Sequence, residues 1–202
     1  MTRSPAVYAR TAGALYLVTH VTSVTAVVAY GAGALRVGVL LEYVLALGCV
    51  GTGILLALLL RAYGPARALT FAMLRAVEAS VILAGTLPML AQALGGTSDA
   101  RLDDVHTASF LIGQGLVISV NTIVLGWLLF DARVVPRPLA VLGLAGGALV
   151  LASNLCQLLD VIPLNGTVAG ICAVPVFAFE IWLALHLLVR TGARVEQSVP
   201  AR

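Results

Sequence analysis

Five side chains able to carry charge or hydrogen bonds stand inside runs otherwise apolar enough to cross a membrane: His20, Arg75, Glu78, Asn121 and Glu180. Arg75 and Glu78 are three residues apart within the run 68–94, so on a helix they share one face. A charged side chain near a helix centre costs roughly 2.5–3.5 kcal/mol on insertion scales, and it therefore faces protein or a wet cavity rather than lipid. Counted along a helix rise from the arginine-marked ends, the five residues lie about eight to eleven residues deep, in one slab near the midplane. Opposite charges at a common depth offset each other's burial. Arg75 is therefore expected to pair with Glu180 or Glu78, with His20 and Asn121 completing its shell. Such a layer suits a bound solute, an ion or a proton in transit. Carboxylates shielded from water also serve as general acids near neutral pH, and an ion pair can simply lock two helices together.

A second polar group is expected nearer the opposite helix ends, formed by Arg36, Glu42, His106 and Asn154 with Gln157 and Asp160, and joined to the first layer by Gln114. His106 follows Asp103 and Asp104, but the spacing is not that of a metal site, and no metal is assigned. Cys49, Cys156 and Cys172 form no CxxC and read as small buried hydrophobes, the alternative being a disulfide between Cys156 and Cys172. Asn165-Gly166-Thr167 reads as a turn before it reads as a glycosylation sequon. The chain holds no GxSxG, HExxH, P-loop or dinucleotide fingerprint, no aspartate-rich pair of the kind that binds magnesium diphosphate, and nothing that implies a cofactor.

The elements that position these residues follow from composition. Of 202 residues 60% are hydrophobic and only 10% charged, with a mean hydropathy of +1.04. A soluble domain carries about 25% charge. The chain reads as all-α, one six-helix transmembrane domain over 1–202, with spans at 11–33, 38–60, 68–94, 105–130, 138–159 and 168–190. The first run is too long for a signal h-region and is expected to be retained. Six spans put both termini on one side, which collects Arg3, Arg10, Arg61, Arg67, Arg133, Arg137, Arg190, Arg194 and Arg202 against Arg36 and Arg101 on the other. Arginine bias makes the richer side cytoplasmic and places the chain as a multi-pass protein of the inner (plasma) membrane. The net charge of +3 is explained by that bias. Without a basic helix or basic–aromatic interleaving, nucleic acid is not an expected partner. The lipid bilayer is, as is a small-molecule or lipid ligand. Gly143 and Gly147, with Gly48, Gly51 and Gly53, mark close helix packing, either within the chain or in a homodimer.

Several stretches stand in a telling order: Ala9-Arg10-Thr11-Ala12-Gly13-Ala14-Leu15-Tyr16-Leu17, Leu35-Arg36-Val37-Gly38 with Glu42, Val105-His106, Gly126-Trp127-Leu128, Pro136-Arg137-Pro138-Leu139-Ala140-Val141-Leu142, and Pro175 with Glu180-Ile181-Trp182-Leu183. Together they resemble one bacterial membrane family of unassigned role, the domain of unknown function 4386. The resemblance implies a six-helix bundle with polar positions at Arg36, Glu42, His106 and Glu180, and it implies no activity. Binding or transport of a small molecule or ion is the favoured reading. A structural accessory subunit, or a membrane enzyme using carboxylate chemistry on a lipid or isoprenoid, are the alternatives.

Overall fold

The computed structural model describes residues 5–96 and 98–189. Among them there is no strand, and six helices are long and apolar enough to cross a membrane: α1 Pro5–Gly31, α2 Leu35–Leu60, α3 Pro65–Gly95, α4 Ala100–Ala132, α5 Arg137–Leu158 and α6 Thr167–Val189. The protein is a multi-pass membrane protein. Arg3, Arg190, Arg194 and Arg202, used above for orientation, lie outside the described residues.

Most ends fall where the sequence places them, and two do not. The first helix starts at Pro5 rather than 11, proline being suited to a first turn. The fourth starts at Ala100 rather than 105, because the acidic stretch expected as a loop is instead the start of the helix. Asp99 caps it by accepting from the Arg101 backbone N–H at 2.9 Å, and Asp103 sits in the first turn, where a carboxylate meets the positive end of the helix dipole. Midway, over Leu111–Val117, α4 widens to a π-helix, a local form that often marks functional sites.

Each helix packs against its sequence neighbour, and α6 closes back on α1, so the six form a ring. Gly13 of α1 lies against Ala184 and Leu188 of α6, which sets the start of α1 and the end of α6 on the same side of the bundle. That half of the ring is filled by an apolar core including Ala12, Tyr16, Phe71, Leu128, Phe179 and Leu183. The opposite half holds a smaller cluster between α2 and α3 (Leu45, Ala46, Cys49, Ala79 and Ile82), and its other buried positions include Thr22, Gln92, Ser153, Asn154 and Gln157.

The glycines are used inside the chain. Gly48 and Gly51 face Thr19 and Leu15 of α1, Gly143 faces Phe179 of α6, and Gly147 faces Ser119 and Ile123 of α4. The GxxxG pair thus serves two neighbours within the chain rather than one seam. The three cysteines are free thiols.

Among the described residues Ser153 Oγ is a buried polar atom without a hydrogen-bond partner. Ser153→Ala is therefore expected to raise stability by about 1 kcal/mol or more, since an unmet hydroxyl carries its full desolvation cost. Unfolding in detergent micelles measures this, and a less stable variant would show that the hydroxyl is satisfied.

Candidate functional site

The five midplane residues converge at one level, but as two units rather than one. The first lies between α2, α3 and α4. Arg75 and Glu78 share a face of α3 as their spacing requires, and Arg75 Nη1 donates to both Glu78 oxygens at 3.1 and 2.9 Å. Thr52 of α2 accepts from Arg75 Nε at 3.2 Å and Nη2 at 2.9 Å, while its own hydroxyl donates to the Cys49 carbonyl at 2.9 Å. Asn121 of α4 donates to Glu78 Oε2 at 2.6 Å, and the Cys49 thiol lies 3.6 Å from Oε1. The Tyr16 ring of α1 sits 5.4 Å from the guanidinium carbon, a cation–π distance. The group is sealed: Arg75 and Glu78 are each 2% exposed. Of the two carboxylates open to Arg75 on sequence grounds, the bundle gives it Glu78. The charge is neutralised and its donors are engaged, which is the condition for a buried pair to persist.

The second unit joins α1 to α6. His20 Nε2 stands 3.4 Å from Glu180 Oε2, with the two side chains 11% and 10% exposed. His20 Nδ1 lies 3.0 Å from the Tyr16 carbonyl, and the ring meets Phe177 edge-on at 4.7 Å. Tyr16 therefore touches both units, by its ring and by its backbone.

The expected outer group also divides. Glu42 of α2 accepts from Tyr30 OH of α1 at 2.8 Å and faces His106 Nε2 of α4 at 3.1 and 3.2 Å, so three helices meet at one carboxylate. Gly38 makes this reach possible, since a Cβ there would lie 2.3 Å from the Tyr30 ring. Arg36 belongs to the same region and donates to the Ala93 carbonyl at 3.3 Å. Asn154 does not join them. It lies across the ring on α5, donating to the Val150 carbonyl at 2.8 Å, accepting from Gln157 at 3.1 Å, and packing on Gly115 in the π-segment of α4. Common depth along separate helices says nothing about which side of a ring each helix occupies, and this is why the grouping of Asn154 with Glu42 fails. Gln114 does reach across the interior: its Oε1 accepts from Ser23 of α1 at 3.1 Å.

Beside the Glu42–His106 pair a cleft of 760 Å³ opens at the bundle end opposite the start of α1, between the α1–α2 turn, the end of α3 and the start of α4. Tyr30, Arg36, Gln92, Asp103 and His106 are among its walls. Gln92 braces it, donating to Asp103 at 2.7 Å and accepting from the Asp99 backbone N–H at 2.9 Å. Sequence reasoning missed Thr52, Cys49, Gln92 and Tyr30 as partners. The one available signal for Thr52 is its place between Gly51 and Gly53, a stretch in which a neighbouring helix comes close enough to need a hydroxyl.

The model of the family described as Domain of unknown function (DUF4386) matches residues 24–191. No curated protein and no solved structure matches the chain.

Proposed function

The chain belongs to the DUF4386 family, whose description names no activity, and we propose from the geometry that it binds, and passes on, a small polar solute carrying an anionic group. The observation that carries this reading is the 760 Å³ cleft with Arg36 in its wall. Small-molecule sites run from roughly 300 to 1,000 Å³ and combine apolar walls with a few convergent polar groups. Among the described residues no carboxylate pairs with Arg36; its partner is the neutral Ala93 carbonyl, so its charge is available to a ligand. A guanidinium takes carboxylate or phosphate oxygens in forked pairs. Gln92, Ser98 and Thr107 supply neutral polar groups to the cleft walls, as does His106, whose Nε2 faces Glu42 at 3.1 Å. With the arginine-rich end cytoplasmic, the cleft opens on the outer face.

The test is the thermal stability of the purified protein in detergent against small carboxylates, amino acids and inorganic phosphate. At least one is expected to raise the unfolding temperature, with affinity falling about tenfold or more in Arg36→Ala. A panel without effect, or a shift that survives Arg36→Ala, overturns the reading.

One observation favours a second reading, that of an accessory subunit held together by its charges. The Arg75–Glu78 group is closed and satisfied, as a helix lock would be. The same burial counts against acid–base catalysis by Glu78, because a lipid substrate cannot reach a carboxylate 2% exposed.

A further inference from the structure

We propose that His20 and Glu180 form a proton-binding site that holds one shared proton between α1 and α6 and exchanges it through a crevice open toward the end of α1 and the start of α6. Three observations carry this: the hydrogen-bond logic of the histidine, the sudden uncovering of two helix faces beyond the pair, and a polar contact spanning the gap.

A backbone carbonyl only accepts, so the 3.0 Å contact with the Tyr16 carbonyl requires that His20 Nδ1 carry a hydrogen. The free tautomeric choice is then gone, and Nε2 is the nitrogen that gains or loses a proton. It faces Glu180 Oε2 at 3.4 Å. A neutral imidazole and an ionised carboxylate would turn lone pairs at each other there, in a mostly buried place. One proton resolves this, either as imidazolium beside carboxylate or as imidazole beside carboxylic acid. Both arrangements are neutral overall, which a membrane interior favours. The proton moves between Nε2 and Oε2 with no other bond made or broken, and it leaves to or arrives from water.

Access comes from the helix faces. On α1 the stripe that points inward is buried at Ala9, Gly13 and Tyr16 and continues through His20. One and two turns farther on, Val24 and Val27 are 54% and 59% exposed. On α6 the matching stripe is buried at Leu187, Leu183, Glu180 and Val176 and exposed at Ala173. Across from them the first turns of α4, Ala100–Phe110, bury no residue. The α1 and α6 faces are thus covered on one side of the pair and uncovered on the other. Beside the uncovered faces Ser23, three residues beyond His20, donates to Gln114 of the α4 π-segment at 3.1 Å. A hydroxyl and an amide at that place offer water hydrogen bonds on its way to the pair.

The groups that bear on the pair are Tyr16 of α1, Cys49 of α2, and Arg75 and Glu78 of α3, with Arg75 and Glu78 already neutralising one another. The charged and titratable side chains of α5, Arg137 and Cys156, stand near its two ends, away from Glu180. The proton on the pair is therefore the exchangeable one at this level.

The experiment uses the full chain in lipid nanodiscs, with ¹⁵N-labelled histidine and the carboxyl C=O infrared band read over the same pH series. His20→Gln and Glu180→Gln identify the two signals. His20 is expected to keep Nδ1 protonated throughout, while Nε2 and the Glu180 band change in one step at one midpoint. Glu180→Asp, which retains the acid on a shorter stem, is expected to move that step by about one pH unit or more without abolishing it, and serves if the glutamine variant does not fold. Val27→Trp, which fills the crevice, is expected to slow hydrogen exchange at Nε2 about tenfold. A His20 protonated on Nε2 alone, two separate midpoints, or exchange indifferent to Val27→Trp overturns the proposal. None of these outcomes depends on a solute in the cleft at Arg36.

Discussion

Arg75→Leu is expected to destabilise the bundle by about 3–5 kcal/mol, the usual cost of removing one partner from a buried ion pair. The loss has a definite origin. Glu78 would keep the Asn121 amide at 2.6 Å and the Cys49 thiol at 3.6 Å, but its carboxylate would be left 2% exposed with no cation, and Thr52 would lose both guanidinium donors. Removing both charges is expected to cost far less. Arg75→Leu combined with Glu78→Leu should recover most of the stability, because well-packed apolar replacements of a buried pair are often neutral. Coupling the same substitution to Glu180→Leu should recover little, since Glu180 faces His20. Reversible unfolding in mixed micelles measures all three. Equal recovery by Glu78→Leu and Glu180→Leu would show that Arg75 divides its charge between them, and an Arg75→Leu protein of unchanged stability would end the lock reading.

Gly126→Ala is expected to part α4 from α5. A Cβ added at Gly126 would stand 2.8 Å from the Leu144 nitrogen, 3.1 Å from the Gly143 carbonyl carbon and 3.2 Å from the Ala140 oxygen. All three are backbone atoms of one helix, so no side chain can rotate away and the helices themselves have to move. Overpacking of this kind costs about 1–3 kcal/mol, and Gly126→Val is expected to exceed that. Gly170→Ala is the control. Nothing lies within 4 Å of its Cβ position, and an alanine there should gain up to about 1 kcal/mol from helix propensity. Unfolding midpoints of the three variants decide the matter, and equal midpoints for Gly126→Ala and Gly170→Ala would refute close contact between α4 and α5. If the pair at Gly126 spreads, the π-segment of α4 shifts with it, so hydrogen exchange at His20 is a second readout of the same substitution.

Arg75 and Gly126 stand differently in the sequence. That Arg75 needs a carboxylate follows from depth alone: a cation some eight residues inside an apolar run has to be answered. That the carboxylate is Glu78 is a matter of which rotamers the neighbours leave open. Gly53 lets α2 approach until a Cβ there would lie 2.8 Å from Arg75 Cβ, which places Thr52 against the guanidinium and fixes its direction. The importance of Gly126 was not legible in its Gly-Trp-Leu setting, because a glycine facing lipid and one facing a backbone look the same in one dimension.

By itself the sequence determined what hydropathy and arginine counting can reach: an all-helical membrane protein, six spans, the level at which its ionisable groups lie, and its likeness to a family without an assigned role. Those are properties of the chain against the bilayer, and each is set along one axis. Only the tertiary structure decided what depends on the other two axes. It put Asn154 across the ring from Glu42, gave Glu180 to His20 and Glu78 to Arg75, brought Tyr30 to Glu42 as a donor, and filled the half of the ring around Tyr16 and Phe179 with an apolar core. The physical reason is that depth is additive in residues along a helix, whereas the facing of one helix toward another depends on the packing of all six at once.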